Sequence, residues 1–129
     1  MVNETSQLTD LQLAILKVLW GRGSATAAEI TEALRKERGL APQTIATVLS
    51  RLERRGIVRH ETRQRQYLYM AVVSEPEVGR SMLSALTERL FEGDVAALVT
   101  QLLSTREISP GDLARVKRLI AAHESKRGR

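Results

Sequence analysis

The sequence predicts a mainly α protein: a winged helix-turn-helix domain, made of three helices plus a β-hairpin wing, followed by a helical dimerisation region. Three observations carry this. Helix-start signals recur: Thr9 with Gln12, Thr26 with Glu29, and Ser74 with Glu77 each place a hydroxyl three residues ahead of a Glu or Gln, so that each side chain can cap the other's backbone amide. The hydrophobic period turns from helical to alternating just past Gly56 and returns to helical near Ser74. Aromatic residues make up only 3% of a chain that is 43% hydrophobic, so the core must be built from Leu, Ile, Val and Ala, as in packed helices.

The elements follow in order. The first helix opens at Thr9, with Leu8 stapled against Leu13, and runs to about Trp20. Leu11, Ala14, Ile15, Val18 and Leu19 recur at helical spacing, and Gly21 and Gly23 end it. The second opens at Thr26, turns Ile30, Ala33 and Leu34 inward and stops at Gly39. Pro42 takes the first position of a third helix, where its missing amide hydrogen costs nothing, and that helix ends near Arg55 with Gly56 as its stop. Ile57 to Glu61 and Tyr67 to Val72 then read as two strands joined by a polar turn from Thr62 to Gln66.

Ser74 starts a long amphipathic helix through Val78, Met82, Leu83, Leu86, Leu90 and Phe91, interrupted at Gly93. Asp94 restarts helix through Val95, Leu98, Val99, Leu102 and Leu103. Ser109-Pro110 caps a last one through Leu113, Val116, Leu119 and Ile120, with Lys126 to Arg129 expected to fray. The expected division is 1–73 for the winged helix and 74–129 for the dimerisation region with a basic disordered tail. Leu83, Leu86, Leu90, Phe91, Leu98, Val99, Leu102, Leu113, Val116 and Leu119 are the expected dimer contacts, because three short helices with such apolar faces must bury them against something.

Charge is unevenly placed. The chain carries a net +5, yet Arg51, Arg54, Arg55, Arg59, Arg63 and Arg65 stand against only Glu53 and Glu61. Six further basic residues between Arg115 and Arg129 stand against Glu124 alone, leaving the rest of the chain net acidic. Two basic stretches on an acidic background suit a polyanionic partner. The absence of cysteine excludes disulfides and thiolate metal sites, and neither a metal nor a cofactor is expected. No apolar run approaches the ~18 residues of a membrane span, and the start has no signal-peptide pattern, so a cytoplasmic protein without membrane insertion is expected.

An enzyme is not expected. There is no Gly-rich phosphate loop or nucleophile elbow, the two histidines His60 and His123 lie far apart, and Glu29, Glu32, Glu75 and Glu77 are accounted for by helix caps and N-terminal dipoles. In the third helix, Ile45, Val48, Leu49 and Leu52 fall on one side, while Gln43, Thr47, Ser50, Arg51 and Arg54 cover the other. That outer side offers an amide for adenine, a Thr with hydroxyl and methyl, and Arg for guanine or phosphate. Gln43, Thr44 and Thr47, in its first turns, are the expected base readers of a double-stranded DNA operator. Arg63 and Arg65 on the hairpin are expected to reach phosphate or minor groove, while Tyr67 and Tyr69 are expected to pack the wing. The alternative is a winged helix used as a protein–protein adaptor without sequence-specific DNA binding.

The pattern resembles the penicillinase-repressor (BlaI/MecI) family of winged-helix regulators over residues 8 to about 120. The stretches that carry the resemblance are Leu8 to Trp20, Thr26 to Ile30, Thr44 to Leu52, Tyr67-Leu68-Tyr69, and Phe91-Glu92-Gly93 to Val99. The resemblance implies a homodimer that binds a palindromic operator and represses transcription; members often govern β-lactam resistance genes or, in copper-responsive relatives, metal export, and β-lactam resistance or stress genes are the expected targets here. Copper-responsive relatives carry a C-terminal cysteine cluster, absent here. Other members are inactivated through a membrane sensor protease that leads to cleavage at an Asn-Phe pair. Gln101-Leu102 stands in that place here, and Gln64 stands where many relatives have a glycine before the wing arginine. The resemblance therefore extends to DNA binding and dimerisation and leaves the inducer open between proteolysis and a ligand.

Overall fold

Reciprocal capping sets the first two helices. In the computed structural model, which describes residues 4–105 and 108–127, the Thr9 amide donates to Gln12 Oε1 at 2.9 Å while Thr9 Oγ1 accepts from the Gln12 amide at 3.1 Å. Helix α1 (Asp10–Arg22) follows and stops on Gly23. Thr26 and Glu29 repeat the exchange at 2.9 and 3.1 Å and open α2 (Ala27–Ala33). The sequence reading carries this helix on to Gly39; instead it breaks at Leu34, whose backbone sits at φ −97°, ψ 4° with its side chain buried, and a single turn, α3 (Arg35–Arg38), fills the gap. Helix α4 (Pro42–Arg54) starts on Pro42, as the sequence indicates.

The C-terminus of α4 is closed by a Schellman motif. The Ile57 amide reaches back to the Leu52 carbonyl at 3.0 Å and the Gly56 amide to Glu53 at 3.0 Å, with Gly56 at φ +77°, a conformation that costs little only without a Cβ. Leu52 and Ile57, the two residues this motif brings together, are both buried. The chain then enters strand β1 (Val58–Arg63), paired antiparallel with β2 (Gln66–Ala71) in the register Val58 to Ala71 through Arg63 to Gln66. A two-way backbone bridge between Ala25 and Tyr69, at 2.8 and 3.0 Å, gives the hairpin the start of a third strand.

The core of this part joins Ile15, Leu16 and Leu19 of α1, Ile30 of α2, Ile45, Leu49 and Leu52 of α4, and Ile57, Val58 and Tyr69 at the base of the wing. The turn at the wing tip is shorter than its polar sequence suggests. Thr62 and Arg63 pair with Tyr67 and Gln66, leaving Gln64 and Arg65 to turn the chain at φ +50° and +67°. Positive φ at both positions is what the right-handed twist of a two-residue hairpin demands, and Gly or Asn would normally supply it.

Helix α5 (Glu75–Phe91) is capped by Ser74, whose Oγ accepts from the Glu77 amide at 3.2 Å. Asp94 caps α6 (Val95–Thr105) by accepting from the Ala97 amide at 3.0 Å, and Ser109 caps α7 (Pro110–Arg127) through the Asp112 amide at 3.0 Å. Helix α7 continues through Lys126 and Arg127, two residues beyond the point where the sequence suggests fraying, since nothing there breaks a helix; Gly128 and Arg129 lie outside the described residues. The chain divides into two compact units, residues 1–86 and 87–129. In the first, α5 buries Val78 and Ser81; in the second, α7 buries nothing.

The strained turn yields a stability prediction. Replacing Gln64 with Gly removes the left-handed penalty at one position, and the expected gain is about 0.5–1 kcal/mol after the entropy of the added glycine is deducted. Thermal unfolding followed by circular dichroism should show a Tm raised by a few degrees; an unchanged or lowered Tm would show that the turn is not strained.

Candidate nucleic-acid interface

Helix α4 separates its two sides cleanly. Ile45, Leu49 and Leu52 are buried and Val48 is half-buried, whereas Gln43, Thr44, Thr47, Ser50, Arg51 and Arg54 are all exposed. At 100° per residue these six lie within an arc of about 120°, so a single ridge runs along the helix, uncharged at its start and basic at its end. Ala41 offers no capping side chain and Pro42 no amide hydrogen, so the partly positive end of α4 is not closed by a side chain. Arg51 and Arg54 have no carboxylate partner among the described residues. Thr47 departs from the sequence expectation in one respect. Its Oγ1 donates to the Gln43 carbonyl at 2.9 Å, so its hydroxyl hydrogen is already used, and it offers a methyl group and acceptor lone pairs.

Arg55, next in sequence to Arg54, behaves differently because one residue turns it by about 100°. It is half-buried and its Nη1 lies 3.5 Å from Gln12 Oε1 of α1. Of the six arginines between residues 51 and 66, it alone turns inward.

The wing also has two faces. Arg59, Glu61 and Arg63 alternate along β1, and Glu61 is the counter-ion of both arginines, at 3.4 Å from Arg59 and 3.7 Å from Arg63. Arg63 is therefore exposed but already balanced by a carboxylate. Arg65, in the turn, is exposed and has no carboxylate partner among the described residues, so it is the wing cation most open to an outside anion. The two arginines, equivalent in sequence reasoning, are distinguished by the sheet register.

On the opposite face of the hairpin, His60, Tyr67 and Tyr69 form an aromatic cluster. The His60 ring stacks on Tyr67 with centroids 4.0 Å apart and lies 5.6 Å from Tyr69. Tyr69 is buried and Tyr67 exposed at its edge, so both pack the wing as expected. His60 Nδ1 lies 2.7 Å from both carboxylate oxygens of Glu53 on α4. This link between recognition-type helix and wing was not visible in the sequence, because it joins residues seven apart through the strand register. Burial first, then the Glu53 carboxylate and the Tyr67 phenol, hold the Tyr69 phenol above its ordinary range. At the start of α2, the Thr26 amide holds the Glu29 carboxyl below its ordinary range, and Arg22 pairs with it at 3.2 Å.

The apolar side chains expected to pair subunits lie mostly in the open. Leu83, Leu86 and Leu90 of α5, Val99 and Leu102 of α6, and Leu113, Val116 and Leu119 of α7 are exposed, while Phe91 and Leu98 are half-buried. Gln101 and Leu102 lie within α6 rather than in a loop. Among the described residues no three His, Asp or Glu come together in a way that could hold a metal ion, and no helix is long and apolar enough to cross a membrane.

Comparison with known proteins is consistent with this geometry. A family model described as penicillinase repressor matches residues 8–122. The chain is similar to the penicillinase repressor of Bacillus licheniformis, 23% identical over 94% of each chain. It is also similar to the methicillin resistance regulatory protein MecI of Mammaliicoccus sciuri, 19% identical over 93% of this chain and 98% of the relative. Among solved structures, the DNA-binding domain of the repressor BlaI matches with a TM-score of 0.50 and 30% identity, covering 57% of this chain and 89% of that one. The YusO protein from Bacillus subtilis, at 18% identity and a TM-score of 0.55 over 95% of this chain and 78% of that one, shares the fold.

The Tyr69 environment makes stability depend on alkaline pH. Its folded-state proton is held more tightly than in the unfolded chain, whose phenol ionises near pH 10. The contribution is fully present below that pH and is lost as pH rises through the higher folded value. Urea unfolding between pH 9 and about 11 should show a decline in stability that Tyr69→Phe, compared with its own value at pH 9, makes shallower; identical slopes for the two proteins would refute it.

Proposed function

The chain belongs to the penicillinase repressor family, whose model matches residues 8–122, and on that basis we propose that it is a transcriptional repressor that binds a palindromic operator as a homodimer. The observation that carries the reading is the exposed ridge of α4, with three uncharged polar residues at its start and, toward its end, two arginines that have no carboxylate partner among the described residues. An α-helix fits the major groove, where Gln43 can pair with adenine and the Thr47 methyl can meet thymine methyl, while Thr44 and Ser50 supply hydroxyls. Arg51 and Arg54 are placed for guanine or phosphate, and Arg65, with Arg63 behind it, for the backbone beside the groove. On this reading the protein is not an enzyme and works in the cytoplasm. The names of its relatives, penicillinase repressor and methicillin resistance regulatory protein, suggest that the genes it controls include β-lactam resistance genes.

The second unit supports the dimer part of this reading. An α7 that buries no residue yet carries the exposed Leu113, Val116, Leu119 and Ile120 presents apolar side chains of the kind that mark interaction surfaces. A second copy would cover them, and together with Leu83, Leu86, Leu90, Val99 and Leu102 these side chains supply an apolar part for an obligate interface, which typically buries ~2,000 Å² or more. In our reading residues 1–73 carry the DNA contacts and 74–129 the subunit contacts. Two linked winged helices then gain affinity from the high effective concentration of the second half-site.

Two outcomes test this. Gln43→Ala or Thr47→Ala should weaken binding to the specific operator by ~1–3 kcal/mol with little effect on random DNA. Arg65→Ala should weaken both and lower the salt slope by about one, and Arg63→Ala should do so less because Glu61 already engages it. Equal losses on specific and random duplexes for all four variants would overturn the division of roles. Separately, the double variant Leu102→Glu, Leu119→Glu places charge on two exposed positions. Light scattering should show a monomer whose circular dichroism keeps the winged-helix fold, and operator affinity should fall by about two orders of magnitude; a variant that remains dimeric would remove α6 and α7 from the interface.

A further inference from the structure

A two-stranded hairpin is at most marginally stable alone, so something must fix its direction. At its base Val58 and Tyr69 enter the core, and the Ala25 bridge holds β2. Beyond that point every residue from Glu61 to Tyr67 is exposed. Beside this apolar packing, a polar side-chain link from the wing to α4 is made by His60, whose Nδ1 faces both oxygens of Glu53 at 2.7 Å. Both side chains are about one third exposed or less, at 27% and 33%. A nitrogen that close to a carboxylate carries the hydrogen, so Nδ1–H donates and the bond is charge-assisted. Tyr67, diagonal to His60 across the ladder, lies flat on the ring at 16° and closes the remaining freedom of the imidazole.

Glu53 occupies the shoulder of α4, between its buried side and its exposed ridge. We propose that Glu53 and His60 are positioning residues for DNA recognition: their bond, locked by Tyr67, fixes the angle of the wing to α4, so that Arg65 meets a phosphate when Gln43 and Thr47 meet bases. The proposal rests on the operator-binding reading above. It also explains a carboxylate near a surface meant for a polyanion. An unpaired Glu53 would only repel phosphate, and its removal would tighten binding; a Glu53 that orients the wing has the opposite effect.

That difference in sign is the test. Glu53→Ala in the full chain keeps helix propensity, so the protein should retain its Tm within a few degrees. Its affinity for the specific operator should fall about tenfold and its salt slope by about one, although neither Glu53 nor His60 touches phosphate. Arg65→Ala, costly in the parent chain, should cost little more in the Glu53→Ala background, because the wing is no longer held in place. His60→Asn in the parent chain, where Glu53 is intact and the amide nitrogen can take the place of Nδ1, should keep most of the affinity that His60→Ala loses. Tighter binding by Glu53→Ala, or an Arg65→Ala loss undiminished in that background, would overturn the positioning role while leaving the operator reading standing. If Arg65→Ala had no effect even in the parent chain, the wing contact itself would be wrong and the positioning role would fall with it.

Discussion

The bond from the Ile57 amide back to the Leu52 carbonyl ties together the two elements that matter most. It ends α4 and aims the chain into β1 within the space of one left-handed glycine, so the end of the helix and the first residue of the strand share one fixed backbone joint. Because Leu52 and Ile57 are both buried, the motif is set inside the hydrophobic core rather than at its edge. A shift at this joint would displace side chains that have no free volume to enter. The geometry of the outward-facing ridge therefore derives from the packing beneath it.

That arrangement lets one helix serve two purposes. The inner side of α4 is apolar and packed against α2 and the base of β1, in the core that α1 also enters, and the outer side carries only groups that water or a polar partner can satisfy. The wing repeats the division on a sheet: ion pairs along one face, aromatic packing on the other. A hairpin this small gains its order from the Ala25 bridge, from Tyr69 in the core and from the bond between His60 and Glu53. Each ties it to a different part of the helical layer.

Much of the fold was legible because its signals are local. A helix N-cap and its partner amide lie only three positions apart, and Thr9, Thr26, Ser74, Asp94 and Ser109 all begin helices as their spacing indicates. The alternation of apolar and polar residues likewise gave the two sides of α4. The break at Leu34 was not legible, since Ala33, Leu34 and Arg35 are good helix formers and only the pull of the core interrupts them. The tightness of the wing turn was hidden because Gln64 and Arg65 carry no turn signal. At the candidate interface, the exposed residues of α4 could be listed from periodicity. The Thr47 back-bond, the inward Arg55, the balanced Arg63 and the pairing of Glu53 with His60 depend on rotamer and register, which one sequence does not encode locally.

Trp20 is the single tryptophan of the chain, and its indole nitrogen donates to the Val73 carbonyl at 2.9 Å, at the point where β2 gives way to α5. Both tyrosines also lie in the first unit, so the second is silent in near-ultraviolet absorption and emission beyond 290 nm or so. The protein thus contains its own fluorophore at the root of the wing. Emission from that indole shifts to longer wavelength when water replaces the carbonyl, so opening at this joint can be followed in the unlabelled chain, on the timescale of a stopped-flow mixer, without any signal from the helices that follow.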